Sequence, residues 1–235
     1  MAVQMAETPS RPYRSEIRAE GQRMTVRRCV EAAAELFAVQ GYAATTIDAI
    51  AHRAGVARRT VFSAVGGKVA LLKLAYDWSL VGDDEPVAMA DRPEIRAIAA
   101  TRSPRRAITV WVEHVTVVAR RSTPMLLVMQ TAADTDPDAA ALYHKAIGDA
   151  RLGARMFVEH LTTITTLRPW LDVERATDLV WALLDPGVYD RMVRRGGWNH
   201  DEFSSWLASA LTQGILSSAG HGTSSAPDPA HDPRE

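Results

Sequence analysis

Apolar residues recur along most of this chain at the spacing of one helix face. No stretch alternates in the manner of a half-buried strand. Val30, Ala33, Ala34 and Phe37 step i, i+3, i+4, i+7 and predict a helix that Gly41 stops. Ile47, Ile50, Ala51 and Ala54 repeat that step and predict a second, short helix. Thr45 is suited to cap it through its hydroxyl, with Asp48 as the acidic partner of a capping box and Gly55 as the permissive end. Val56 restarts the pattern. On a third helix beginning near Ala57, the residues Val61, Phe62 and Val65 share a face while Arg58, Arg59 and Ser63 point elsewhere. The three helices are expected to close around Phe37, Ile47, Ile50, Val56, Val61 and Phe62, with Tyr42 at the core edge.

The helical pattern continues to residue 217. A helix over 69–80 links this unit to the rest, and 82–103 is a less regular connection with two prolines and several acids. Residues 104–122 carry Ile108, Trp111, Val112, Val115 and Val118 on one face. A short helix at about 124–133 and a long one at about 138–167 follow. Next comes a segment at 173–194, interrupted at Pro186-Gly187. Gly196-Gly197 stops the chain again before a last helix at 200–217, with Phe203, Trp206, Leu207, Ala210, Leu211 and Ile215. The Ser/Gly/Pro/His/Asp-rich residues 218–235 are expected to be disordered. The fold class expected is all-α. A flexible basic arm (1–22) precedes a three-helix domain (23–68), a larger helical domain (69–217) and the tail (218–235).

Two short helices joined through Gly55 form the outline of a helix-turn-helix. In that motif the N-terminal part of the second helix meets base edges in the major groove. An arginine there can donate two hydrogen bonds to guanine O6 and N7, worth roughly 1–3 kcal/mol of discrimination. Arg58 and Arg59 stand at that place, although adjacent charges also occur as a solvated face. Charge along the chain supports the first reading. Residues 1–68 hold ten basic and six acidic side chains, a net of +4, while residues 69–235 hold 17 against 22, a net of −5. A near-neutral total hides one basic end, as expected when only that end meets a polyanion. Arg11, Arg14, Arg18 and Arg23 are either an arm tracking the DNA backbone or a solvated tail.

The segment resembles the tetracycline-repressor (TetR) family of transcriptional regulators. The resemblance rests on Leu36-Phe37, Gly41-Tyr42, Thr45-Thr46, Ile47, Ile50-Ala51, Ala54-Gly55-Val56, Thr60-Val61-Phe62 and Lys68, in order and at the family's spacing over about residues 23–75. Ala64 and Val65 stand where the family usually has Tyr or His and then Phe, and Ala57 where it often has Ser. The resemblance implies DNA contacts from Thr45, Thr46, Ala57, Arg58, Arg59, Thr60, Phe62, Ser63 and Lys68. It implies a homodimer on double-stranded palindromic DNA, made mainly by the last two long helices. Trp181, Leu184, Trp206 and Leu207 are candidates for the partner surface, or for the core. It also implies a pocket for a small apolar or amphipathic ligand. Candidate lining residues are Trp111, His114, Val115, Met125, Met129, Tyr143, Met156 and His160; the same residue types also serve as plain core.

Other classes find little support. The chain has no HExxH, CxxC or Gly-x-Ser-x-Gly. Gly66-Gly67-Lys68 fails as a phosphate loop because Phe62 and Val69 occupy the positions of its first Gly and its Ser/Thr. Glu113-His114 and Glu159-His160 are adjacent pairs that point to different helix faces. Neither a catalytic site, a metal site nor a cofactor is therefore expected, although a constellation of distant residues stays open. The one cysteine, Cys29, excludes an internal disulfide framework and reads as a small buried hydrophobe. Without a transmembrane-length apolar run or a signal-like N-terminus, a cytoplasmic protein is expected. The reading is a ligand-released repressor. The alternatives are a ligand-independent DNA-binding regulator, or a helical enzyme or binding protein with no DNA role.

Overall fold

The computed structural model describes residues 11–82 and 93–217. The expected tail at 218–235 and the first ten residues of the expected arm lie outside them. Helix α1 (Arg11–Ala44) breaks only at Gly41, whose φ of 80° is the left-handed conformation glycine adopts freely. It opens twelve residues before the expected start of the DNA-binding domain, so residues 11–22 of the expected arm are helical. Strong helix formers, and an ion pair of Glu20 with Arg23 one turn along, favour that extension. Helix α2 (Ile47–Ala54) and helix α3 (Arg58–Ala64) follow across Gly55, at φ 67°. Helix α4 (Lys68–Val81) leads out of this unit.

The larger domain holds α5 (Pro93–Ala100), α6 (Pro104–Ala133), α7 (Pro137–Ile164), α8 (Val173–Leu183), α9 (Pro186–Tyr189) and α10 (His200–Ile215). From α9 the chain runs straight into a π-helical turn over Asp190–Arg195. Helix α5 lies in what reads from sequence as an irregular connection, and Ile98 anchors it in the core. Helix α6 runs unbroken through Pro124, where sequence predicts a boundary. A proline inside a helix forfeits one backbone hydrogen bond. Here both halves of the helix are held by separate cores, which keeps it continuous.

Those two cores explain the architecture. One joins Phe37, Ile50, Val61, Leu71 and Leu72 of the first four helices to Met125, Val128 and Met129 of α6 and Ala139 of α7. The other joins Ile108, Trp111 and Val112 of α6 to Phe157, Val180, Tyr189, Phe203, Leu207 and Leu211. Helix α6 thus belongs to both. Cys29 is fully buried in the first core, as expected, and burial raises its thiol pKa. The end of α4 is pinned to α6 by Arg121, which donates to the Leu80 carbonyl at 2.7 Å. Gly82 accepts that approach: its φ is 86°, and a Cβ there would collide with the Arg121 guanidinium. Among the described residues no helix is long and apolar enough to cross a membrane.

Candidate nucleic-acid interface

The recognition unit is built by short-range capping and one shared core. Thr46, not Thr45, caps α2: its hydroxyl accepts from the Ala49 amide at 3.1 Å. Thr45 is 1% exposed; it donates to the Gly41 carbonyl at 2.7 Å and accepts from Gln40 Nε2 at 3.2 Å. Either threonine satisfies the sequence pattern, and the turn that follows Gly41 decides between them. With the cap at Thr46, Asp48 is one residue short of the capping-box position, and its carboxylate turns instead to Arg58. Gly55 closes α2 with its amide on the carbonyls of Ala51 and His52.

Helix α3 has no side-chain cap at Ala57, as expected. Val61 is its one fully buried side chain, and Val65 packs partly against the core. Phe62, expected in that core, is 47% exposed. A seven-residue helix buries a narrow stripe, and residue 62 lies 100° beyond the centre that Val61 defines. Arg58, Arg59, Phe62 and Ser63 therefore form an outward face, with Thr60 half-buried at its edge and the exposed Thr46 on α2. Arg58 Nη1 donates to Asp48 Oδ2 at 2.7 Å, and its Cζ sits 5.7 Å from the centroid of the Phe62 ring. The Ser63 hydroxyl donates to the Thr60 carbonyl at 3.1 Å. Arg59 is exposed and has no partner among the described residues.

Lys68 is engaged within the protein. Its ammonium donates to the carbonyls of Tyr42 (2.9 Å) and Thr45 (3.2 Å) and lies 4.1 Å from the Tyr42 ring centroid. It closes the turn between α1 and α2, where carbonyls at a helix end favour a cation. Tyr42 is 4% exposed, and its hydroxyl donates to Asp136 Oδ2 at 2.6 Å. Burial first, and then this bond, push the phenol well above its usual range. The same bond is the main cause that holds the Asp136 carboxyl below the usual carboxylate range. Asp136 Oδ1 meanwhile caps α7, accepting from the amides of Asp138 (3.0 Å) and Ala139 (3.3 Å). The DNA-binding unit is thereby bonded to the start of α7. Sequence reading missed Asp136, though an Asp directly before Pro137 is a recognisable helix-start signal.

The proposed pocket residues divide between the two cores. Trp111 is buried and stacks on Phe157 (4.1 Å between centroids, 6° between planes), with Val115 beside the same core. Met125, Met129 and Tyr143 belong to the other core. Met156 is 59% exposed. His114 is half-buried, and His160 Nε2 meets the Thr101 carbonyl at 3.2 Å. A groove of about 310 Å3 between α6 and α10 is lined by Arg105, Thr109, Ala208, Ser209, Thr212 and Gln213, none of them a candidate. Of the proposed dimer residues, Leu207 is fully buried and cannot reach a partner, because its face of α10 points into the second core. Trp181, Leu184 and Trp206 are half-buried at the core's rim, and Trp206 meets the 39%-exposed Trp198 edge to face. Among the described residues no group of three or more His, Cys, Asp or Glu is placed to hold a metal.

A short uncapped helix with an outward Arg-Arg-Phe-Ser face, set by a glycine turn against a second short helix, forms a helix-turn-helix, the motif that places its second helix in the major groove of DNA. Residues 30–75 match the family model of bacterial regulatory proteins, tetR family. By that match, residues 30–75 are a DNA-binding region of the tetR-family kind. No curated protein matches it significantly. Solved structures share its fold. A transcriptional regulator from Saccharomonospora viridis in complex with choline is 20% identical, with a TM-score of 0.63 over 82% of this chain and 98% of its own. NalD, the secondary repressor of the MexAB-OprM multidrug efflux pump in Pseudomonas aeruginosa, is 18% identical, with a TM-score of 0.63 over 84% and 98%. A TetR-family transcriptional regulator from Rhodococcus sp. is 15% identical, with a TM-score of 0.61 over 81% and 97%.

Proposed function

We propose that the chain is a repressor that binds a palindromic operator as a homodimer and leaves it when a small apolar or amphipathic ligand enters the larger domain. Arg58, Arg59, Thr46, Thr60, Phe62 and Ser63 carry the DNA contacts, while Lys68 holds the turn beneath them. The observation that carries this reading is the core shared by the DNA-binding helices with α6 and α7. Any ligand that moves α6 or α7 must also move the recognition helix, and with it the spacing of two such helices in a dimer. The ligand needs only to favour the non-binding conformer by its differential affinity. The half-buried Trp181, Leu184 and Trp206, with Trp198, supply an apolar rim at α8–α10 for the second copy. The protein has no catalytic role in this reading.

The closed packing around Trp111 and Met129 also suits a regulator with no ligand, and the two readings separate by experiment. Sedimentation gives the assembly state, and electrophoretic binding to the promoter of the protein's own gene gives operator recognition. A melting screen of metabolites, with choline as its first compound, looks for the roughly 2.7 kcal/mol that a ligand at a hundredfold its Kd contributes. A monomer, or failure to bind specific DNA, overturns the homodimeric repressor. A screen without shifts favours the ligand-independent regulator.

A further inference from the structure

We infer that Asp48 and Phe62 are positioning residues that make Arg58 the guanine reader of this interface and leave Arg59 as its backbone contact. The inference rests on the DNA-binding reading of α3. Arg58 opens α3 and Asp48 lies in the first turn of α2, so their 2.7 Å bond crosses the helix-turn-helix itself. Arginine has five donors in a fixed plane. Asp48 occupies one on Nη1, leaving the Nε and Nη2 edge unclaimed, and that edge matches guanine O6 and N7. Phe62, one turn along, lies beneath the guanidinium at 5.7 Å. The group is therefore held at an edge and over a face before DNA arrives, which lowers the ordering cost of a bidentate contact.

Charge separates the two arginines. The Asp48–Arg58 pair is neutral as a unit, so it contributes little to counterion release from phosphates. Arg59 is unpaired among the described residues and keeps its full charge for the backbone. The Arg58 and Asp48 side chains are 59% and 66% exposed, so the pair contributes little to folding and can be altered without unfolding the domain.

The test uses the full-length protein and a randomised 30-base-pair duplex library, sequencing the bound fraction at several salt concentrations. Arg58→Ala is expected to erase a preference for guanine at one position of each half-site, of roughly tenfold or more in wild type. Asp48→Ala and Asp48→Asn are expected to weaken that same preference several-fold while raising binding to unrelated sequences. Phe62→Leu is expected to weaken the preference without raising unrelated binding, and Asp48→Glu to restore much of it. Arg59→Ala is expected to lower affinity across all sequences and reduce the salt slope by about 1. If the Asp48 variants bind every sequence more tightly with guanine preference unchanged, Asp48 is only a repelling charge and the inference fails while Arg58 remains a reader. If Arg58→Ala leaves the preference intact, base reading by Arg58 fails, and the inference with it.

Discussion

Removing one hydroxyl tests the link between the two halves of the molecule. Tyr42→Phe deletes the 2.6 Å bond to Asp136 but keeps the ring against Phe37, 5.5 Å away, and beneath Lys68. A hydrogen bond to a charged acceptor contributes about 1.5–3 kcal/mol net. Asp136 keeps its two amide donors on α7 and is not stranded, so a loss near 1.5 kcal/mol is expected. For a chain of this size that lowers Tm by roughly 3–6 °C. The sign of the pH dependence follows from Asp136. Its folded pKa is depressed, so the stabilisation is complete above the ordinary value of 3.8 and is lost as pH falls through the folded value. The difference between wild type and Tyr42→Phe should therefore be constant near neutrality and shrink below about pH 4. Thermal unfolding across pH, with a double-mutant cycle to Asp136→Ala, measures the coupling directly. A coupling below about 0.5 kcal/mol, or a difference independent of pH down to pH 2, would refute the reasoning.

Lys68→Met should lower stability by about 1–2 kcal/mol in the absence of DNA, because the Tyr42 and Thr45 carbonyls lose their donor; calorimetry of the free protein checks this. Tyr76 is 7% exposed, and burial, then Asp149 and Asp77, push its phenol up to about 12. With a folded pKa raised above the ordinary 10, its share of stability is present below pH 10 and lost toward pH 12 at about 1.4 kcal/mol per pH unit. Denaturant melts of Tyr76→Phe should show a shallower fall over that window. Leu207→Ala should cost about 2–5 kcal/mol, since the side chain is fully buried, whereas Trp206→Ala should chiefly weaken self-association in sedimentation.

What the sequence revealed and concealed follows from the range of each interaction. The i, i+3, i+4 pattern located α2, α3 and the apolar face of α10 because each buries its face against neighbours fixed by the same period. Gly55 was legible because a left-handed helix end has few other residues to choose from. Phe62 was misplaced because a period of 3.6 cannot say where a seven-residue stripe stops. Pro124 suggested a boundary because the two cores that hold α6 straight come from helices distant in sequence. The same distance hid the Tyr42–Asp136 bond, 94 residues apart, whereas the Asp48–Arg58 bond, ten apart, depends on how the turn between α2 and α3 aims two side chains. Composition alone could not show that α6 carries Trp111 into one core and Met129 into the other.

The proposed function stands or falls with DNA recognition by the outward face of α3. Electrophoretic titration of promoter DNA from the protein's own gene, with wild type and the Arg58→Ala, Arg59→Ala double variant at one salt concentration, tests it most directly. Wild type is expected to bind specifically, and a double variant that melts normally to lose about a hundredfold in affinity. Equal binding by the two proteins would contradict it.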